Sequence, residues 1–267
     1  MLGWRSLSTS TKAPTRVVGR PLLCVSDIRG DLVALNSILD AVKDLDLAGV
    51  VACGNHCVGG PEPFEVWNRL TSLGAHMTRG PGDVALGAID KVRDELTPSS
   101  ATEEARLVTF LRARKALGDV VCRRLAELPS TLVVSLDDNS GVMVLHGSPA
   151  DDSDGLFDNV HLAQEVSCVA EDVLVCGATG LPFARRVERA VEEIVVDEDG
   201  DSPPGFSLPV QPLLVVNCGS VALHTVQTRD EQRTAFAVLV ACGDDGRVHA
   251  WGHDVPVRGR SAWHQAG

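Results

Sequence analysis

With 267 residues, 44% of them hydrophobic and 22% charged, the chain can bury a substantial core and has the composition of an ordinary globular protein. Its 36 acidic residues against 24 Lys and Arg give a formal charge of −12, which opposes general nucleic-acid binding because that binding draws on basic surface. Tyrosine is absent and aromatics total 4%, which excludes rows of stacking platforms for single strands, and no apolar run reaches membrane-spanning length.

Residues 1–20 are rich in Ser and Thr, carry Arg5, Lys12, Arg16 and Arg20, and have no acidic residue. They predict a disordered N-terminal tail; the composition also suits an organellar transit peptide, but there is little amphipathic periodicity. PLLCV from Pro21 reads as a buried strand delivering Ser26 and Asp27 to its carboxyl end, where Gly30 closes a turn. Leu32, Leu35, Ile38, Leu39 and Val42 recur at helical spacing, so residues 31–43 form a helix with Asp31 at its positive end. The strand LAGVVAC brings Gly54 to the same edge, residues 62–73 form a helix with Phe64, Trp67 and Leu70 on its apolar face, and residues 76–79 are a short strand. These are βαβ units, with right-handed connections and helices expected to cover both sheet faces.

Residues 88–128 read as helical, interrupted at Pro98, with Arg106, Arg112, Arg114, Arg123 and Arg124 around one long helix; a solvated face is the expected role, and an acidic partner the alternative. TLVVS and GVMVL form a hairpin around Asp137-Asp138-Asn139-Ser140-Gly141 and present His146. Asp151, Asp152 and Asp154 follow without the spacing of a calcium loop, and Ser148 lacks the Gly-x-Ser-x-Gly elbow that a serine triad with His146 and Asp151 would need. Residues 161–169 predict a helix, EDVLVCGATG a strand, the acidic and proline-rich residues 195–212 a surface loop, and LLVVNCGS and TAFAVLVACGDDGRVHAWGHDV the last strands. Residues 257–267 predict a C-terminal tail. Of the eight cysteines none forms a C-x-x-C pair, so they read as buried thiols in a reducing, cytoplasmic setting, and a zinc site from them lacks its spacing.

The apolar runs that stop at glycine loops share one more property. Asp27-Ile28-Arg29-Gly30, then Gly54-Asn55-His56-Cys57-Val58-Gly59-Gly60-Pro61-Glu62-Pro63, then Gly80-Pro81-Gly82-Asp83, His146-Gly147-Ser148-Pro149, Gly177-Ala178-Thr179-Gly180 and Asn217-Cys218-Gly219-Ser220 fall in the order and spacing of the motifs of the calcineurin-like metallophosphoesterases. The chain resembles that superfamily, in particular its small bacterial phosphodiesterase branch. The resemblance implies a four-layer α-β-β-α sandwich, two mixed sheets flanked by helices, over residues 21–256, with a helical insertion at about residues 88–128 on one rim of the cleft.

It also implies a site of two divalent metals about 3.5–4 Å apart that activate a bridging water. The first would be held at positions 27, 29, 55 and 180, where this chain has Asp27, Arg29, Asn55 and Gly180. The second would be held at 55, 81, 146 and 178, here Asn55, Pro81, His146 and Ala178, while the histidine that protonates the leaving group is replaced by Gly82. A guanidinium cannot coordinate a cation and glycine has no side chain. The losses sit at ligand positions, whereas the loop-shaping Gly30, Gly54, Gly59, Pro61, Pro63 and Gly80 stay. The expectation is therefore a non-catalytic relative without metal or other cofactor, its cleft formed by Asp27, Arg29, Asn55, Arg79 and His146. Arg29 either neutralises Asp27 or, with Arg79, holds a phosphate-containing anion bidentately. A protein partner is the other expected occupant. The alternative is a residual phosphodiesterase with manganese or another divalent metal on Asp27, Asn55 and His146. His56, beside Asn55 on an extended segment, is expected to be a loop residue with no metal.

Overall fold

The computed structural model describes residues 5–7, 17–92, 97–189, 212–222 and 233–257. Among them one six-stranded sheet has the order β1-β11-β10-β2-β3-β4 and one five-stranded sheet the order β5-β6-β7-β9-β8. In the first, β2 (Val17–Val25), β3 (Gly49–Cys53) and β4 (His76–Thr78) run parallel, and β10 (Thr234–Gly243), β11 (Val248–Pro256) and β1 (Arg5–Ser6) extend it antiparallel. In the second, β6 (Gly141–Leu145), β7 (Val173–Cys176) and β9 (Leu213–Asn217) are parallel, flanked by antiparallel β5 (Thr131–Ser135) and β8 (Phe183–Val187). Both sheets are mixed, as expected.

Alternation along the strands builds the layers. Leu22 and Cys24 face the second sheet, while Leu23 and Val25 face the helices, so helices cover one face of this sheet and not both as expected, because the other face is buried by the second sheet. On the other side Val142, Val144, Val173, Val175, Leu214 and Val216 meet them, and Leu145, Leu174, Cys176, Leu213 and Val215 turn outward onto Leu162, Val166 and Val169. A strand buried on both faces reads as a continuous apolar run, which is why these segments are legible in the sequence.

Helix α1 (Leu32–Val42) is capped by Asp31, whose carboxylate accepts from the Ala34 N–H at 3.0 Å, and buries Ala34, Leu35, Ile38, Leu39 and Val42. Helix α2 (Pro63–Ser72) buries Pro63, Val66, Trp67 and Leu70. Phe64, expected on that face, is 41% exposed because the buried stripe runs one residue out of its phase. Helix α3 (Pro81–Val92) begins seven residues before the predicted start at 88. Pro81 opens it at the one place where a missing N–H costs nothing. Helix α4 (Ala101–Ala126) is broken at Gly118, φ 71°, a conformation in which glycine meets no Cβ penalty. Arg114 does not join a free basic face: it pairs with Asp90 and Asp119, with only 14% of its side chain exposed.

The helix expected over 161–169 is the single turn α5 (Leu162–Glu165), after which the chain turns so that Val166 and Val169 reach the second sheet. Strand β8 had no counterpart in the sequence reading, since its two arginines mask the buried Ala184 and Val187. The N-terminal tail expected over 1–20 is corrected in part: β2 starts at Val17, Arg20 holds Asp137 of the β5–β6 turn, and Arg5–Ser6 pair with Trp251 and Gly252. The loop expected at 195–212, apart from Pro212, and residues 258–267 of the C-terminal tail lie outside the described residues. Among the described residues no helix is long and apolar enough to cross a membrane.

Candidate functional site

The parallel ladder of β2 and β3 continues past the strands: the Asp27, Arg29 and Gly30 N–H groups donate to the Gly54, Asn55 and His56 carbonyls at 3.2, 3.0 and 2.8 Å. The two loops therefore travel side by side across the carboxyl edge of the sheet, where ligands bind in open α/β folds. Asp27, Arg29 and Asn55 all take positive φ, 51°, 53° and 54°, and Ala178 joins them at 62°. Left-handed backbone in non-glycine residues costs on the order of 1 kcal/mol each and gathers at functional sites. Approach is close enough to demand glycine twice. A Cβ on Gly54 would meet the His146 ring and the Gly80 nitrogen at 2.7 Å, and one on Gly177 would overlap the Ser26 hydroxyl.

Within this cradle four of the sequence-derived residues form one chain of hydrogen bonds. Asp27, fully buried, accepts through Oδ1 from Arg29 Nε at 3.2 Å, Arg29 Nη2 at 3.0 Å and Asn55 Nδ2 at 3.0 Å. Its Oδ2 lies 3.1 Å from the Ser26 hydroxyl. The second Nδ2 proton of Asn55 points to His146 Nε2 at 2.9 Å, and Asn55 Oδ1 accepts from the Gly82 N–H at 2.9 Å. His146 Nδ1 sits 2.5 Å from the Cys53 carbonyl, which can only accept. Nδ1 therefore carries the proton, and Nε2 is left as the acceptor for Asn55. Every polar atom of the Asn55 side chain is used.

A carboxylate that nobody would single out from metal-ligand positions holds the cradle. Asp83, fully buried in the first turn of α3, accepts the Asn55 N–H at 2.7 Å and the Gly80 N–H at 2.9 Å on Oδ2, and the His56 N–H at 3.1 Å on Oδ1. It ties the β3 loop to the helix N-terminus and fixes the backbone that aims Asn55. An acidic residue directly after Gly80-Pro81-Gly82, where a helix could start, was the available signal. His56 is buried as well; its Nε2 reaches the Thr78 carbonyl at 2.9 Å and lies 3.8 Å from Asp83. Arg79 takes no part in the Asp27-to-His146 chain, and its Nε is 3.5 Å from Asp152 Oδ2. Ser148 receives the Asp151 N–H at 3.1 Å in a turn, while both His146 nitrogens have other partners, so no serine triad assembles.

Behind the site the thiols are inert. Burial pushes Cys218 well above the usual thiol range, and burial followed by the Asp83 charge does the same to Cys57. On the rim, burial and then the Asp31 and Glu65 charges raise the Glu62 carboxyl. Among the described residues no group of three or more His, Cys, Asp or Glu side chains could hold a metal ion. The donor set does not fit a two-metal centre: one ligand position carries a guanidinium, two carry Ala178 and Gly180, and the lone pairs of Asp27 Oδ1 and His146 Nε2 are taken by protein donors.

The two mixed sheets, their strand order and a cleft at the carboxyl ends of the parallel strands define the four-layer fold of the metallophosphoesterases. The structure is similar to a metallophosphoesterase from Sphaerobacter thermophilus, with 20% identity over 90% of both chains and a TM-score of 0.61. It is equally similar to a hypothetical protein from Pyrococcus horikoshii OT3, with 18% identity over 88% of this chain and 87% of that one and a TM-score of 0.62. No protein-family model matches the sequence, and no curated protein does.

Proposed function

We propose that this protein keeps the metallophosphoesterase fold without its two-metal chemistry and serves as a binding or regulatory module in a reducing, cytoplasmic setting. One observation carries the reading. The Arg29 guanidinium donates twice to Asp27 Oδ1, standing where a cation's charge would otherwise balance that carboxylate, while Asn55 ties Asp27 to His146. In a site closed on itself in this way Asp27 Oδ1 and His146 Nε2 are already occupied by protein donors, and Gly82 supplies no acid for a leaving group.

Charge balance supports a protein partner over a free anion as the occupant of this cleft. Arg29 is matched by Asp27 and Arg79 by Asp152, so neither brings an unspent positive charge. Phe157 (47% exposed), Val160 (86%) and Leu181 (60%) lie on loops that meet where Asn217 Nδ2 contacts the Leu156 carbonyl and the Thr179 hydroxyl, beside Ala178 and Gly180, and they supply apolar surface for such a partner. The second reading, a residual phosphodiesterase with one manganese on Asp27, Asn55 and His146, draws on the convergence of those three side chains.

Metal analysis of the purified protein, with hydrolysis of bis-para-nitrophenyl phosphate in added manganese, separates them. The expected result is no stoichiometric metal and no turnover. Turnover that disappears in His146→Ala would establish the phosphodiesterase.

A further inference from the structure

A second candidate site lies at the opposite end of the sandwich, where the parallel strands of the second sheet begin rather than end. Arg186 of β8 pairs in register with Leu214 near the start of β9, Asp172 immediately precedes β7, and Arg247 leaves the β10–β11 turn. These residues, with Ser140 and Gly246, line a cavity of about 90 Å³. That is far below the several hundred cubic ångströms of a pocket for an organic cofactor and a few times the volume of a water.

Its cations are not bound directly to a carboxylate as Arg29 is in the cleft. Neither Arg186 nor Arg247 forms an ion pair with an acid among the described residues. Arg186 is only partly exposed; its Nη2 donates to the Val248 carbonyl, and its Nε is buried with no acceptor. Burial, and next the neighbouring Arg247 charge, lower the Arg186 guanidinium from its ordinary value, with Asp245 opposing. Two acids lie nearby, Asp172 in the cavity lining and Asp245 on the β10–β11 turn, and each is hydrogen-bonded to other groups rather than to either guanidinium. Asp172 Oδ2 accepts the Gly141 N–H at 2.9 Å, and Asp245 Oδ1 accepts from the Arg247 backbone N–H at 3.1 Å while both of its oxygens lie 3.0 Å from His249 Nε2. Two guanidinium groups lining one small cavity, neither in a direct ion pair among the described residues, offer several N–H donors to a single acceptor. A tetrahedral oxyanion is such an acceptor, and guanidinium forks match its geometry.

We propose that Arg186 and Arg247 form a binding site for a single phosphate group, either the free ion or the terminal group of a small phosphomonoester, remote from the Asp27 cleft. Bound phosphate would accept N–H bonds from the guanidinium groups that line the cavity and offset the repulsion between the two cations. Such a ligand stabilises the folded state in proportion to its occupancy.

Isothermal titration calorimetry at constant ionic strength, with inorganic phosphate and glycerol phosphate as separate probes, tests this. Arg247 is exposed on a hairpin, so Arg247→Ala is expected to fold normally, which circular dichroism checks. Saturable binding to the unaltered protein that weakens at least tenfold in Arg247→Ala, and less in Arg247→Lys, supports the site; the two probes distinguish the free ion from a monoester. The proposal is overturned by an absence of saturable heat, by equal affinity in Arg247→Ala, or by binding that is lost in Arg29→Lys instead. The last result would put the anion in the cleft and count against the matched-charge reading of that cleft, so the two ideas fail separately.

Discussion

Two arginine-centred sites at opposite ends of this protein use the same side chain to different ends. At the cleft, the Arg29 guanidinium spends itself on a buried carboxylate two residues away, and the bonds run on through Asn55 and His146 to the Cys53 carbonyl. At the far end, Arg186 and Arg247 line one small cavity together with Asp172, and neither arginine is in a direct ion pair among the described residues. A cation matched inside the fold contributes to stability, whereas an unmatched one is available to a ligand and contributes little until the ligand arrives. The usual ligand cleft of a fold is therefore a poor guide to where a given chain could bind an anion. Local charge pairing is the better one.

The largest expected effect belongs to the matched cation. Arg29→Ala leaves Asp27 buried and uncompensated, and urea unfolding should show a loss of about 3 kcal/mol, the low end for a broken buried pair because a third of the Arg29 side chain is exposed. Adding Asp27→Asn should restore much of it; a double variant as unstable as the single one would break the pairing argument. Next comes Asp83→Asn, which cannot accept the Asn55, Gly80 and His56 N–H bonds together and should cost about 2 kcal/mol in the same assay.

A smaller, opposite effect is expected at Glu62. Its folded-state pKa is raised, chiefly by burial, so the ionised side chain is a penalty that appears as pH rises through that raised value and is absent below the ordinary glutamate range. Glu62→Gln should accordingly raise the melting temperature at pH 7 and leave it unchanged near pH 3; equal gains at both would point to packing instead. The smallest is Arg247→Ala, whose stability without phosphate should stay within about 0.5 kcal/mol of the unaltered protein. A large loss there would mean that this cation is matched after all.

Much of this contrast was legible before any coordinates. The apolar runs gave the central strands of both sheets because these are buried on both faces, and the residues at 29, 178 and 180, where the resemblance calls for metal ligands, marked the cleft as unusual. Pairing of Arg29 with Asp27 followed from having two opposite charges two residues apart on a loop. Asp83 was not legible as an organiser, since its role is to collect backbone N–H groups from three segments that only the fold brings together. Strand β8 and its Arg186 escaped for a related reason: an edge strand with two consecutive arginines, one on each face, lacks the continuous apolar run that identifies a central one. The early start of α3 at Pro81 was hidden because a Gly-Pro-Gly sequence signals a turn as readily as a helix start.

The central claim is that an arginine rather than a metal balances Asp27, and anomalous X-ray diffraction from crystals grown in manganese tests it most directly. The account predicts the Arg29 guanidinium against Asp27, with no anomalous peak between Asp27, Asn55 and His146. Two well-occupied manganese peaks there, with Arg29 displaced toward solvent, would contradict it.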